Sequence, residues 1–139
     1  MKCRIKWLEH MSFVGESGSG HSVVMDGAPE AGGRNLGVRP MEMLLLGLGG
    51  CTSFDVVSIL HKSRQQLVDC EVDIEAERAD SIPKVFTKIH LHFIVSGRDL
   101  DQAKVAKAIS LSADKYCSAS RILEKTAAIT HDFEIVKPD

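Results

Sequence analysis

The sequence has few aromatic residues and no excess of positive charge. Aromatics make up 5% of the 139 residues, and 17 Lys and Arg stand against 19 Asp and Glu, for a formal net charge of -2. Such a chain lacks the cations that neutralise a phosphate backbone and the rings that stack on bases, so we expect no nucleic-acid partner. Its charged start has no apolar leader segment, and its longest apolar run contains three glycines. We therefore expect a cytoplasmic protein with no membrane partner.

Cysteine is also scarce, and its positions do not form a pattern typical of a metal site. The four cysteines are Cys3, Cys51, Cys70 and Cys117. There is no CxxC pair and no cysteine–histidine set at zinc spacing, and His90 and His92 share a strand face without a third ligand, so we expect no metal. The sequence has no phosphate-binding loop, so we expect no cofactor. Cys3 and Cys70 are in phase with apolar neighbours on strands and are predicted core residues.

Hydrophobic periodicity predicts an α+β fold in a single domain, residues 1–139. Alternating polar and apolar residues predict strands, and apolar residues three to four apart predict helices. The predicted strands cover 2–9, 11–14, 22–25, 69–77, 84–96 and 129–136, and the predicted helices cover 41–61, 101–116 and 118–126. This order favours hairpins over βαβ crossovers, so we expect mostly antiparallel sheets. The segment 26–39 is a loop of a length that is often functional.

The predicted helix over 41–61 is the most apolar segment of the chain. Pro40 opens it at the first helical position, where the missing N–H costs nothing. Apolar residues cover every face, and a helix of that kind is buried on all sides. Because one layer of a small protein cannot cover such a helix, we expect a homodimer in which a partner chain shares it.

Three glycines stand beside Cys51 in this helix: Gly47, Gly49 and Gly50. Each glycine inside a helix costs roughly 1 kcal/mol relative to alanine, and what it gains is close approach by another backbone, side chain or ligand. One interpretation is that the glycines bring a reaction partner to the thiol. The other is that they admit a crossing element and that Cys51 is a small core residue.

Cys117 lies at the junction of two predicted helices. A thiol at the N-terminus of the second helix is favoured as a thiolate, and Arg121 one turn further on adds to that effect. Cys51 has an acidic neighbour instead of a basic one. Asp55 lies four residues later, and a carboxylate raises the pKa of a nearby thiol. Local charges therefore nominate Cys117 as the more acidic thiol. The alternative is a buried helix-end cysteine without chemistry.

Three segments together resemble the OsmC/Ohr family, and within it the small YhfA-like branch. They are Pro40-Met41-Glu42-Met43-Leu44-Leu45, Gly49-Gly50-Cys51-Thr52 and Tyr116-Cys117-Ser118. The resemblance spans essentially the whole chain. It implies a swapped homodimer, with antiparallel sheets around two central helices.

The resemblance also implies thiol-dependent reduction of organic hydroperoxides. Cys51 then attacks the peroxide and Cys117 resolves the product as a disulfide, with Glu42 and Arg39 as further catalytic candidates. A small-molecule hydroperoxide and a thiol reductant, for which a lipoyl-type dithiol is one candidate, are the implied partners. The alternative is an OsmC-fold protein that binds a small molecule or senses redox state without efficient peroxidase activity.

Two departures from the family's peroxidases concern activation of the thiol. Those proteins have the acid directly after the helix-opening proline, whereas here Glu42 is one residue further on. They also carry an arginine in the first hairpin, and the segment 15–21 has none. Arg34 and Arg39 are the substitutes. Because a helix rises about 1.5 Å per residue, Arg39 lies roughly 18 Å from Cys51 along its own helix and would act from a partner chain or a folded-back loop.

Overall fold

The computed structural model describes all of residues 1–139, and its secondary structure confirms the predicted order of elements. The strands are β1 (Cys3–Glu9), β2 (Ser12–Ser17), β3 (Ser22–Met25), β4 (Gln66–Arg78), β5 (Phe86–Arg98) and β6 (Ala128–Val136). The helices are α1 (Pro40–Lys62), α2 (Gln102–Leu111) and α3 (Ser118–Leu123). The chain divides into two compact units, Met1–Leu46 and Gly47–Asp139. The fold is α+β, as predicted.

The first unit contains a three-stranded antiparallel sheet in the order β1-β2-β3. Every residue of β1 is exposed in the chain, including Cys3. The prediction that Cys3 is a core residue is therefore wrong. A period of two identifies a strand and its apolar face, but it does not say whether any part of the same chain covers that face.

A buried carboxylate organises the loop that follows β3. Asp26 Oδ1 accepts a hydrogen bond from the Gly27 N–H at 2.7 Å, and Oδ2 accepts from the N–H groups of Arg34 at 3.3 Å and Leu36 at 3.1 Å. Burial acts to raise the pKa of Asp26, but these hydrogen bonds outweigh it and hold the pKa below its ordinary value. The predicted loop is confirmed, and it is folded back on its own carboxylate.

The second unit contains the mixed sheet β4-β5-β6. β4 and β5 pair antiparallel, as predicted, whereas β5 and β6 pair parallel. The expectation of hairpin connections is wrong for this last pair. After β5 the chain crosses back through α2 and α3, so that β6 begins beside the start of β5, and a crossover of this kind makes neighbouring strands parallel.

The apolar core lies in the second unit, between the inner face of β5 and the helices. Helix α1 contributes one stripe to it, comprising Leu48, Gly49, Thr52, Val56 and Leu60. Another face of α1 is uncovered within the chain, where Phe54 is 77% exposed, and the expectation that a partner chain covers it stays a prediction. By length and composition α1 is apolar enough to cross a membrane, a property that the core helix of a soluble protein shares.

Candidate functional site

Cys51 lies in the middle of α1 and is half-buried. A Cβ added at Gly49 would lie 3.1 Å from Ile74 Cδ1, so this glycine admits the side chains of β4. Added Cβ atoms at Gly47 and Gly50 would meet nothing within 4 Å. The predicted close approach is therefore confirmed at Gly49, whereas the other two glycines face open space in the chain.

Cys117 is held at the end of a π-helical turn. Helix α2 ends at Leu111 and the π turn Ser112–Tyr116 follows, with the Cys117 N–H donating to the Ser112 carbonyl at 2.9 Å. Cys117 then forms the N-cap of α3, and its Sγ accepts a hydrogen bond from the Ser120 N–H at 3.4 Å. Single π turns inside helical segments occur frequently at functional sites. The thiol is 4% exposed.

The two thiols lie close enough that each is felt in the electrostatics of the pair. Burial raises the pKa of Cys117, and the neighbouring Cys51 thiol raises it further. The Ser120 hydroxyl and N–H act to lower this pKa without outweighing burial. The predicted helix N-terminus at Cys117 is thus confirmed, but the expectation that it makes Cys117 an acidic thiol is wrong, because desolvation of the thiolate dominates.

The arginine expected to assist Cys117 is engaged elsewhere. Arg121 donates from Nη2 to the Asp114 carbonyl at 3.0 Å and from Nη1 to Glu124 Oε1 at 3.0 Å. No cation is among the groups that shift the pKa of Cys117. The remaining cysteine of this unit, Cys70, is half-buried, and burial followed by the charges of Asp69 and Glu71 raises its pKa.

A polar network beside the thiols was not expected from the sequence. Thr52 Oγ1 and Ser112 Oγ lie 2.8 Å apart, and Ser112 Oγ donates to Asp55 Oδ2 at 2.9 Å. Thr52 is 4% exposed and Ser112 is fully buried. The network joins residues sixty positions apart, so no local pattern signals it. Asp55, which was expected to act on Cys51, has Ser112 as its partner.

A cavity of about 110 Å³ adjoins this centre. It is lined by Thr52, Leu91, Phe93, Ile109, Ala113, Asp114, Ser120, Glu124, Ile129 and His131. Thr52 directly follows Cys51, and Ser120 hydrogen-bonds the Cys117 thiol. The cavity therefore combines an apolar floor with carboxylate and imidazole groups, next to both cysteine-bearing segments.

Arg39 and Glu42, the other two predicted site residues, lie together at the start of α1. Glu42 Oε1 accepts from the Arg39 N–H at 2.8 Å, as the acid of a capping box does. Arg39 Nη1 donates to Asn35 Oδ1 at 2.9 Å and to the Gly37 carbonyl at 3.2 Å. Both residues thus have structural partners in the first unit, and their part in a reaction stays a prediction.

The histidine pair on β5 has acidic neighbours that the sequence did not reveal. His92 Nδ1 lies 2.7 Å from Asp132 Oδ1 and Nε2 lies 3.3 Å from Glu134 Oε1, while His90 Nε2 lies 3.0 Å from the same Asp132 oxygen. The hydrogen bond to Asp132 is the main cause that raises the pKa of His92. No group of three or more such side chains has a geometry that could hold a metal.

The fold and the cysteine pair define a small α+β protein with two thiols between a long helix and a helix N-terminus. The chain belongs to the OsmC family: the family model described as OsmC-like protein matches residues 32–132. Protein YhfA of Escherichia coli (strain K12) is 53% identical over 139 residues, covering 98% of each chain. The resemblance stated from the sequence is thereby confirmed.

Solved structures agree with this assignment. One from structural genomics is 51% identical, covers 99% of this chain and 100% of its own, and has a TM-score of 0.89. An organic hydroperoxide resistance protein OsmC from Legionella pneumophila is 15% identical, covers 96% of this chain and 97% of its own, and has a TM-score of 0.72. At that identity the second comparison establishes the shared fold alone.

Proposed function

We propose that this protein is a thiol-dependent peroxidase that reduces organic hydroperoxides through Cys51 and Cys117. The observation that carries the proposal is the proximity of the two thiols, since Cys51 on α1 is near enough to raise the pKa of Cys117 at the N-cap of α3. Two neighbouring thiols can be oxidised to a disulfide when their Cα atoms lie within about 7 Å of each other. The hydroperoxide-resistance name of the structural relative from Legionella pneumophila supports the substrate class.

The exposure of the two thiols and the raised pKa of Cys117 decide which thiol attacks the peroxide and which one resolves the product. Cys117 is 4% exposed and has a raised pKa, so it is a poor first nucleophile toward a peroxide from solvent. Cys51 is half-buried, so a peroxide from solvent reaches it more readily than it reaches Cys117. We therefore assign peroxide attack to Cys51 and resolution to Cys117.

The reaction then proceeds in two balanced steps. The Cys51 thiolate attacks the distal peroxide oxygen, the O–O bond breaks, and the alkoxide leaves and takes up a proton to become the alcohol. Cys51 is now a sulfenic acid. The Cys117 sulfur displaces its hydroxyl as water and forms the disulfide, which protects Cys51 from over-oxidation. A dithiol reductant restores both thiols by exchange.

The proposed working form is a homodimer. Phe54 on α1 is 77% exposed, and Gly47 and Gly50 face open space, so one face of the apolar helix lacks a cover within the chain. An obligate dimer that covers such a helix buries more than about 2,000 Å². A second copy of the chain is the partner that fits an apolar face of this kind, and a cytoplasmic location follows from the reactive, unpaired thiols.

The test is thiol counting with one equivalent of tert-butyl hydroperoxide. We expect the wild type to lose two thiols per chain and peptide mapping to yield a single 51–117 disulfide. Cys51→Ser is expected to abolish peroxide consumption, whereas Cys117→Ser consumes the first equivalent to give a sulfenic acid at Cys51 and needs a second equivalent to reach the sulfinic acid. Cys3→Ser, at an exposed cysteine in the other unit, is the matched control and is expected to behave as wild type.

Two outcomes would contradict this assignment. If Cys51→Ser still consumed one equivalent while Cys117→Ser did not react, the roles would be reversed. If the wild type lost no thiols, the second candidate function would stand: a small-molecule-binding or redox-sensing protein. That candidate is favoured by one observation: burial raises the pKa of Cys117, which lowers the thiolate fraction of the pair.

A further inference from the structure

Ser112 connects the two segments that carry the thiols. Its carbonyl accepts the Cys117 N–H at 2.9 Å, and its hydroxyl bonds Thr52 and Asp55, which lie one and four residues after Cys51 on α1. Ser112 is fully buried, so water cannot replace these bonds. One residue thus fixes the position of the Cys117 turn relative to the helix of Cys51.

The hydrogen bonds of this network have a determined direction. Asp55 is a carboxylate acceptor, so the single hydroxyl proton of Ser112 is donated to Asp55 Oδ2. Ser112 Oγ can then act only as an acceptor toward Thr52, whose hydroxyl must be the donor in the 2.8 Å contact. Removing any one hydroxyl leaves a buried polar group without its partner, which is costly in a protein interior.

We propose that Thr52, Ser112 and Asp55 are positioning residues that hold the Cys117 turn against α1 and thereby set how readily Cys51 and Cys117 form a disulfide. This inference rests on the proposed function for its biological purpose, but its physical content concerns only the thiol pair. A disulfide tolerates only a narrow range of Cα separation and torsion, so its stability depends on how the two backbones are placed. None of the three residues touches the peroxide in this proposal.

The experiment is a redox equilibrium of the full chain with mixtures of reduced and oxidised glutathione, without hydroperoxide. One oxidised glutathione converts the two thiols into the disulfide and leaves as two reduced glutathiones, so the equilibrium constant reports the pair directly. The 51–117 disulfide is quantified by peptide mapping. Ser112→Ala and Thr52→Val are each expected to lower this constant about tenfold, because a buried hydrogen-bonded network is lost.

Matched variants separate positioning from a general loss of stability. Thr52→Ser keeps the hydroxyl and is expected to stay within about twofold of wild type, whereas the nearly isosteric Thr52→Val does not. Val95→Ala removes fully buried volume on β5 and is expected to lower thermal stability while leaving the redox equilibrium unchanged. Thr52→Val also serves as the second network variant if Ser112→Ala does not fold.

The two proposals fail in different ways. Equal redox constants for wild type, Thr52→Val and Ser112→Ala, or an equally large shift in Val95→Ala, would overturn the positioning network and leave the peroxidase proposal intact. A wild type that forms the 51–117 disulfide with glutathione but does not consume hydroperoxide would overturn the peroxidase proposal. The effects of the variants on the glutathione equilibrium would still test the network.

Discussion

Each of the two units of this chain is stabilised internally by a different kind of interaction. The second unit, Gly47–Asp139, contains all thirteen buried apolar residues, from Leu48 to Ala127. In the first unit, Met1–Leu46, only Ser12 and Asp26 are buried, and both are polar. A buried apolar core stabilises a unit by itself, whereas a single carboxylate fixes the shape of a loop without removing apolar surface from water.

This difference predicts which unit would gain more stability from the proposed partner chain. In the first unit Ile5 is 60% and Trp7 is 61% exposed, and Trp7 pairs with Phe13 across the β1–β2 ladder. Three strands with an uncovered apolar face are marginal in water. The proposed dimer would supply that cover. Cys51 and Cys117 lie in the unit that has its own core, so their geometry does not depend on the same source of stability.

Truncating the core of the second unit should have the largest effect. Phe93 is 1% exposed on β5, and we expect Phe93→Ala to lower the free energy of unfolding by about 3–5 kcal/mol. Trp7→Ala is the contrasting variant. In a monomer it should change stability by no more than about 0.5 kcal/mol. In the proposed dimer, the loss of stability caused by Trp7→Ala should grow as the protein is diluted, because the free energy of unfolding then includes the free energy of association.

Thermal unfolding at several protein concentrations, combined with light scattering, measures both variants. A Trp7→Ala protein that matches wild type at every concentration, together with a folded monomer at micromolar concentration, would contradict the dimer. A Phe93→Ala protein as stable as wild type would contradict the assignment of the core to the second unit.

Substitution of Asp26, the buried carboxylate of the first unit, should have an intermediate effect. Asp26→Asn replaces one acceptor oxygen by an amide donor facing backbone N–H groups, so we expect the loop over 26–39 to open more often. Trypsin should then cleave after Arg34 roughly tenfold faster than in wild type, because local opening exposes the bond. Glu30→Gln, at an exposed acid of the same loop, is the control and should leave cleavage unchanged.

Acid should loosen the wild-type loop in the same way. Because the folded pKa of Asp26 lies below its ordinary value of 3.8, its contribution is complete above that value and is lost as the pH falls through the folded pKa. Equal cleavage rates in Asp26→Asn and wild type would show that the carboxylate does not organise the loop.

Local pattern predicted the elements well because strands and helices are encoded by short-range periodicity. The strand Ser22–Met25 and the start of the long helix at Pro40 are confirmed at the predicted residues. The helix expected over 101–116 ends instead at Leu111, where the π turn begins. Ser112, the first residue of that turn, has a hydroxyl bonded to α1, a contact that no window of neighbouring residues contains.

The site was predictable only in part for the same reason. Resemblance identified Cys51 and Cys117, and the sequence placed Cys117 correctly at a helix N-terminus. The direction of the Cys117 pKa was not predictable, because desolvation depends on what the rest of the chain packs around the thiol. Similarly, the parallel pairing of β5 and β6 is a property of the crossover and not of either strand's pattern.

The smallest expected effect concerns the histidine pair on the exposed face of the second unit. The folded pKa of His92 is raised above 6.5, chiefly by Asp132, and the pKa of Asp132 is lowered below 3.8, chiefly by His92. The contribution of His92 to the free energy of unfolding is therefore complete below pH 6.5 and lost as the pH rises through the folded pKa. The contribution of Asp132 is lost as the pH falls through its lowered pKa.

His92→Gln should lower the melting temperature more at pH 5.5 than at pH 8.5, and His61→Gln, at an exposed histidine of α1, should show no such dependence. Because the pair is exposed, the difference should be a small shift in melting temperature that added salt reduces further. A His92→Gln protein with the same loss at both pH values would show that the ion pairs do not couple to folding.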